Sequence, residues 1–498
     1  MRVLESLGCS VLLTFLAYLL SACSFVPVVP LSPDSMTGHC LELYKALDQA
    51  VAETGTTVSS PEPVQHFPNL RVDRFLASYR DQVRDESELR VWMMHMAELA
   101  LQVRAIEINS LPMDRRHNLR ARYNASSDLQ SMLGSCAEHI IDQDLVRADR
   151  VALLRETAVV PPDYYTPSQV AGLYPLSAVP VSIGISRWHE ETHKLFALPL
   201  EQIPVIGKLQ RYRSMIRGIA TIPQIPEDSL HIPTPNSSQL AALFIAYAPV
   251  WEIDVAGNFD KPGTPVWQLN DTPTVDTTVP VVYHYVSYTH WQNRALLQLN
   301  YVIWFSERPL SGPFDIYGGA LDGLIWRVTL DQNSEPLLFD TIHSCGCYHL
   351  FFPTKRLTMR AAALELPEPP LVVQTAPVIP LNKRLVIRVA SGTHYVQRIY
   401  ADIPTGEIYP LRDYNALYVI ATDEGNRRSL FDRNGLVPGT ERAERWLLWP
   451  MGIASPGAMR ERGRHATAFV GRRHFDDASL LEDIFEITEP NTTKKYTD

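Results

Sequence analysis

The sequence predicts an α+β protein, with an α-helical domain in front and a β-rich mixed region behind it. Three observations predict this. Apolar residues recur at three- and four-residue steps through the first third, the period shortens to two further on, and prolines gather in the connections between. Proline outnumbers glycine, 38 to 24, which limits long helices and favours extended segments and turns. At 498 residues the chain exceeds one compact core, so two or three domains are expected. Hydrophobic residues at 46% and charged residues at 20% exclude a largely disordered chain. The net charge of −10 argues against phosphate neutralisation, so no nucleic-acid partner is expected.

The elements follow in order. Arg2 precedes an apolar run from Gly8 to Leu20, shorter than the roughly 20 residues a membrane-spanning helix needs, which reads as an export signal over 1–22. Residues 23–35 read as an extended tether. In the helical domain, 36–157, helices are predicted over Cys40–Glu53, Ser127–Ile141 and Asp144–Glu156. Another carries the stripe Leu89, Trp92, Met93, Met96, Leu99, Ala100 and Val103, with Asp85 as its cap. The methionines suit Cu(I), but they share the apolar stripe and read as core. A proline-rich connecting region, 158–235, holds one short helix, Ser186–Ala197. The β-rich domain, 236–366, carries strands Val281–Thr289, Leu296–Phe305, Gly323–Leu330 and Leu337–Ile342, the last two joined by a turn through Asp331–Pro336. A connector, 367–380, leads to a C-terminal α+β region, 381–498. Strands are predicted there at Arg384–Val389, His394–Ile399 and Ala416–Ala421, and short helices at Gly439–Leu448 and Ala478–Phe485.

The export run ends at Leu20-Ser21-Ala22-Cys23, which resembles the lipobox of bacterial lipoproteins. The resemblance implies diacylglyceryl lipidation of Cys23, with palmitate among its acyl chains, and cleavage before it. Ser24 follows where an inner-membrane lipoprotein would carry Asp, so the resemblance implies an outer-membrane anchor with the body facing the periplasm. The partners expected are the membrane, through the lipid, and an envelope protein. In an oxidising compartment disulfides persist, and Cys40–Cys136 is the simplest pairing because both cysteines fall in the helical region.

Four readings of chemistry arise. His343-Ser344-Cys345-Gly346-Cys347-Tyr348-His349 alternates His, Cys, Cys and His, which a strand would project from one face. Mixed imidazole and thiolate suit zinc or copper, two or three ligands at a time, since the outer pair would lie about 20 Å apart in a strand. A disulfide at Cys345 and Cys347 is the alternative. His189-Glu190-Glu191-Thr192-His193 resembles the His-Glu-x-x-His motif of zincin metallopeptidases, which implies His189 and His193 as zinc ligands and Glu190 as general base. Glu191 departs from that pattern, and a solvated helix with a Glu190–Lys194 pair competes with it. His284 and His290 alternate onto one strand face as further candidate ligands. Arg460, Arg464, Arg472 and Arg473 crowd one segment and suit an anion. Walker, dinucleotide and Gly-x-Ser-x-Gly motifs are absent, and Ser391-Gly392-Thr393-His394 offers a Ser–His proximity without a triad. The sequence thus leaves open an envelope lipoprotein with a metal- or redox-active site, a zincin-like peptidase, and a non-catalytic envelope binding or assembly protein.

Overall fold

The computed structural model describes residues 35–123, 128–215, 222–268, 271–422 and 427–488. It is α+β, with helices in the N-terminal half and many strands in the C-terminal region. Cys23 and its lipobox lie outside the described residues, as does Ser127.

Helices α1 (Ser35–Thr54), α2 (Glu86–Ser110), α3 (Leu129–Leu145) and α4 (Ala148–Thr157) form the helical front. Asp85 caps α2 by accepting from the Glu88 N–H at 2.9 Å. Its stripe Leu89, Trp92, Met93, Met96, Ala100 and Val103 is buried, as the helical period requires, and the methionines are core. Cys40 of α1 and Cys136 of α3 form a disulfide, S–S 2.04 Å.

Helix α5 spans Tyr174–Ala197, twelve residues earlier than its predicted start at Ser186. Pro175 sits in the first turn, where no intrahelical N–H is needed, so only Pro180 removes a bond from the interior. Helix α6 (Ser237–Tyr247) is closed at its start by an Asn236–Gln239 capping box.

The strands of the two large sheets are β1 (Lys208–Ser214), β2 (Val250–Val255), β3 (Val282–Trp291), β4 (Arg294–Arg308), β5 (Gly319–Leu330) and β6 (Pro336–His343). They continue as β7 (Leu350–Pro353), β8 (Leu371–Val372), β9 (Arg384–Val389), β10 (Val396–Asp402), β11 (Glu407–Tyr409) and β12 (Leu411–Asp413). Seven of them form one sheet in the order β8-β7-β6-β5-β4-β3-β12, and five form another in the order β10-β9-β2-β1-β11. The sheets pack face to face over Leu299, Tyr301 and Trp326 from the first and Trp251, Ile387 and Ile399 from the second. The outer face of the larger sheet is covered in turn. Val302, Trp304 and Ile325 pack on Val103 and Ile106 of α2 and on the C-terminal segment around Met459 and Phe475.

Two predicted elements differ. Within Ala416–Ala421 only Ile420–Ala421 is strand, paired with Arg427–Arg428, while Ala416–Tyr418 belongs to a 3-10 turn, Tyr414–Tyr418, because the Asp413 carboxylate accepts the Asn415 N–H and Tyr414, Leu417 and Tyr418 then bury together. Helix in Gly439–Leu448 is confined to Arg445–Leu448, since Gly439 is left-handed at φ +83°. The strand β6 ends at His343, and the chain turns at once.

Candidate functional site

That turn decides the fate of the His/Cys segment. Gly346 adopts φ +95°, its N–H donating to His343 O at 2.8 Å, and a Cβ there would lie 2.4 Å from Ala466 O. The four side chains therefore do not share a face. His343 lies on the inner side of the sheet with Leu324 and Thr341. His349 lies on the outer side, its Nε2 2.8 Å from Asp340 Oδ2. Cys345 packs with the outer cluster around Trp304, and Cys347 lies against that cluster.

On the inner side, four residues from distant parts of the chain form a buried line. Asp260 accepts from Ala256 N–H at 2.8 Å, Gly392 N–H at 2.7 Å and Ser391 Oγ–H at 2.8 Å. His394, stacked on Phe305 with ring centroids 3.9 Å apart, lies between two aspartates. Its Nδ1 is 2.8 Å from Asp322 Oδ2, and its Nε2 is 3.4 Å from Asp260 Oδ1, an ion-pair distance. Asp322 reaches onward to His343 Nδ1 with its other oxygen, at 3.3 Å. Burial alone would lower His394, but the two aspartates outweigh it and raise its pKa, which favours the protonated ring. Burial would raise Asp322, yet His343 and His394 hold it well below the usual carboxylate range. Burial lowers His343 in spite of Asp322, so it is neutral. A neutral His343 that donates Nδ1–H to ionised Asp322 leaves Nε2 as an acceptor. That atom is buried and has no hydrogen-bond partner.

The His343 ring lines a small cleft of about 30 Å³ between the inner face of the larger sheet and α5. Trp188, Thr192 and Leu195 of α5 form one wall, and Tyr348 and Tyr395 form another. Trp188 leans on Tyr348 at 5.3 Å between centroids. Arg308 donates to the Tyr395 hydroxyl at 3.2 Å, and that hydroxyl is also hydrogen-bonded to Tyr348. Burial raises the pKa of both phenols, so they stay protonated and can donate. Leu321, Tyr348 and His394, all within this region, hold positive φ, a conformation that costs a bulky residue about 1–3 kcal/mol and gathers at sites where geometry matters.

The outer side carries a second line. Arg327 clamps Asp340 through Nε at 2.9 Å and Nη2 at 2.6 Å, and its guanidinium stacks on Phe475 at 3.6 Å. His349, lowered to about 4 mainly by burial, completes it. Cys345 and Cys347 are both free, and their side chains are hydrogen-bonded. That bond, with burial, pushes the Cys347 thiol well above its usual pKa, which disfavours the thiolate needed for nucleophilic attack or metal binding.

The remaining predicted residues fall elsewhere. Glu190 is exposed and paired with Lys194 Nζ at 2.6 Å, and burial lowers His189 to about 4. His189 rests on the edge of Trp188, and His193 is exposed. Among the described residues no group of three or more His, Cys, Asp or Glu is arranged to hold a metal ion. The zincin pattern thus lacks its third ligand, and Glu190 is engaged with Lys194. His284 packs on Phe244 at 4.3 Å, whereas His290 lies 2.6 Å from Ser78 Oγ among Phe75 and Tyr79. Arg460 is buried and donates to Ala454 O and Ser455 O. Arg464 pairs with Glu62, and Arg473 with Glu368, so these two guanidiniums hold the C-terminal segment to the body, while Arg460 ties that segment to itself. Arg472 is exposed beside Thr166 and Gln169.

Tyr348 stood in the His343–His349 segment, but Asp260, Asp322, Arg308 and Tyr395 were not legible as a site, because strand pairing within the larger sheet brings Asp322 and Arg308 to His343 and only the packing of the two sheets adds Tyr395, His394 and Asp260. His394 had one signal, its closeness to Ser391, and both residues turn out to meet at Asp260. No protein-family model, no curated protein and no solved structure matches the chain.

Proposed function

We propose that the chain is an envelope-anchored lipoprotein whose body binds a small ligand at the His343 cleft. The anchor rests on the Leu20–Cys23 lipobox. The cleft reading is carried by His343 Nε2, a buried acceptor held in one tautomer and left without a partner. A buried polar atom of this kind costs about 1–3 kcal/mol unless something completes it. Around it stand the donors Tyr348, Tyr395 and Arg308 and the apolar walls Leu195, Leu324 and Val396. The cleft of about 30 Å³ admits one hydroxyl or N–H group of a ligand to meet His343, with the apolar remainder at the mouth and an anionic oxygen toward the donors. The test uses Trp188 as reporter. Titration with 4-hydroxybenzoate should quench emission in the wild type but not in Trp188→Phe, and His343→Phe should weaken binding at least tenfold. Equal quenching in all three proteins refutes the assignment of the cleft.

A second reading, a redox pair in which the Cys345 thiolate attacks first and Cys347 then closes the disulfide, is favoured by the contact between the two thiols. Glutathione disulfide would accept the two electrons and two protons as the intramolecular disulfide forms. Mass spectrometry should then record a reversible loss of two thiols. Retention of both under oxidant removes this reading.

A further inference from the structure

Helix α5 carries a second feature that the cleft does not use. Of its 24 residues only Ala178, Thr192 and Phe196 are buried. No charged residue occurs from Tyr164 to Ser186, a run that includes its whole N-terminal half. Leu173, Leu176, Val179 and Ile183 follow one another at three- and four-residue steps, so they form a stripe, and each is more than half exposed. The same exposed face turns charged at Arg187, Glu190 and Lys194. An apolar stripe facing outward reverses the usual order of a surface helix.

The stripe is extended by neighbouring segments. Gly172 lies against Pro450, and Gln169 donates to Met451 O at 3.0 Å, which brings the 445–451 turn beside α5. That turn exposes Trp446, Leu447 and Trp449. Glu444 N–H donates to Ile316 O at 3.1 Å, so the 309–318 loop adjoins in turn, with Leu310 two-thirds exposed and Phe314 94% exposed. Asp315, the acid of this loop, is turned inward onto the Ser311 and Tyr317 N–H groups. Exposed apolar area on this scale marks an interaction surface.

We infer that this face docks on the surface of an anionic phospholipid bilayer, with α5 lying along the headgroup region. Three observations favour lipid as the occupant. Tryptophans beside arginines are the residue set of membrane interfaces, and here Arg445 stacks on Trp446 at 4.8 Å, with exposed Arg187 on α5 and exposed Arg472 beside Gln169. Those cations complement anionic headgroups, although the chain as a whole is acidic. The eleven residues from Ser24 to Asp34 reach at most about 40 Å, so an anchored Cys23 keeps the body near a bilayer. This inference rests on the anchored-lipoprotein reading for its setting, but the face and the anchor are separable.

The experiment separates them. The mature chain from Ser24 onward, which retains every described residue but has no acyl group, is floated with vesicles of equal parts phosphatidylethanolamine and phosphatidylglycerol. It should float, with tryptophan emission shifted to shorter wavelength. Leu176→Asp/Val179→Asp and, separately, Trp446→Asp should lower partitioning at least tenfold without moving the melting temperature, since these side chains are exposed. Replacing phosphatidylglycerol with phosphatidylcholine should weaken flotation, and Arg445→Gln should shrink that difference. Palmitate labelling of the full chain against Cys23→Ala in cells reports the anchor independently. Labelling without flotation overturns the docking face alone, whereas flotation without labelling overturns the anchor alone. Absence of flotation together with a crosslinked envelope protein lost in Trp446→Asp assigns the face to a protein partner and overturns the inference. Equal flotation of wild type and variants overturns it too.

Discussion

Replacing Asp322 with Asn tests the buried line at its centre. The carboxylate lies 2.8 Å from His394 and 3.3 Å from His343, and it is buried with both. With charge centres about 4 Å apart and an effective dielectric of about 20, the pair with protonated His394 is worth roughly 4 kcal/mol. Asparagine keeps the shape but removes the charge, so His394 retains only Asp260, at 3.4 Å. Breaking a buried pair from one side costs about 3–5 kcal/mol. The pH dependence fixes the assignment. His394 is raised in the fold, so its contribution is complete below the unfolded value of 6.5 and is lost as pH rises through its folded pKa. The cost of Asp322→Asn should therefore be largest near pH 6 and fall toward alkaline pH, where a neutral His394 loses only a hydrogen bond to a charged acceptor, about 1.5–3 kcal/mol. Urea unfolding followed by near-ultraviolet circular dichroism measures both quantities, and the Asp322→Asn/His394→Gln double variant should cost less than the sum of the singles. A loss below about 1 kcal/mol, or one that is the same at pH 6 and pH 9, refutes a charged line.

Other outcomes follow from single features. His349 and His465 are held by burial at about 4 and about 3, so their contribution is present above 6.5 and lost as pH falls toward those values. The drop of His349 from 6.5 to about 4 corresponds to about 3 kcal/mol, and His349→Gln should flatten that acid limb in the same urea series. Cys40→Ala/Cys136→Ala opens a cross-link with a separation of 96 residues and should cost about 4–5 kcal/mol, read as a lower urea midpoint under non-reducing conditions. Gly346→Ala places a methyl 2.4 Å from Ala466 O at positive φ, and should cost about 2–3 kcal/mol while releasing the His343–His349 turn, seen as faster amide exchange at Gly346 and Cys347.

The legible parts of the fold were those where local pattern and packing agree. The α2 stripe, the Asp85 cap and Arg384–Val389 emerged as read, because a period of 3.6 or 2 already states which face is buried. The α5 start was missed because its N-terminal half carries no charged residue to set a polar face against its apolar stripe, and its prolines read as breaks. The alternation of His and Cys could present the four side chains on one face only in an extended strand, whereas Gly346 and the close backbone of Ala466 impose a turn.

What the sequence by itself determined was the fold class, the stripe that fills the helical front and the sites of the principal strands, since all of these depend on neighbours a few residues apart. It also placed Cys40 and Cys136 in the same helical region. Only the tertiary structure decided that His343 and His349 serve opposite faces of one sheet, and that Asp260, Asp322 and His394 stand behind the first of them. Those residues lie far apart along the chain, and sheet register with inter-sheet packing, which leave no local periodic trace, is what sets charge against charge there.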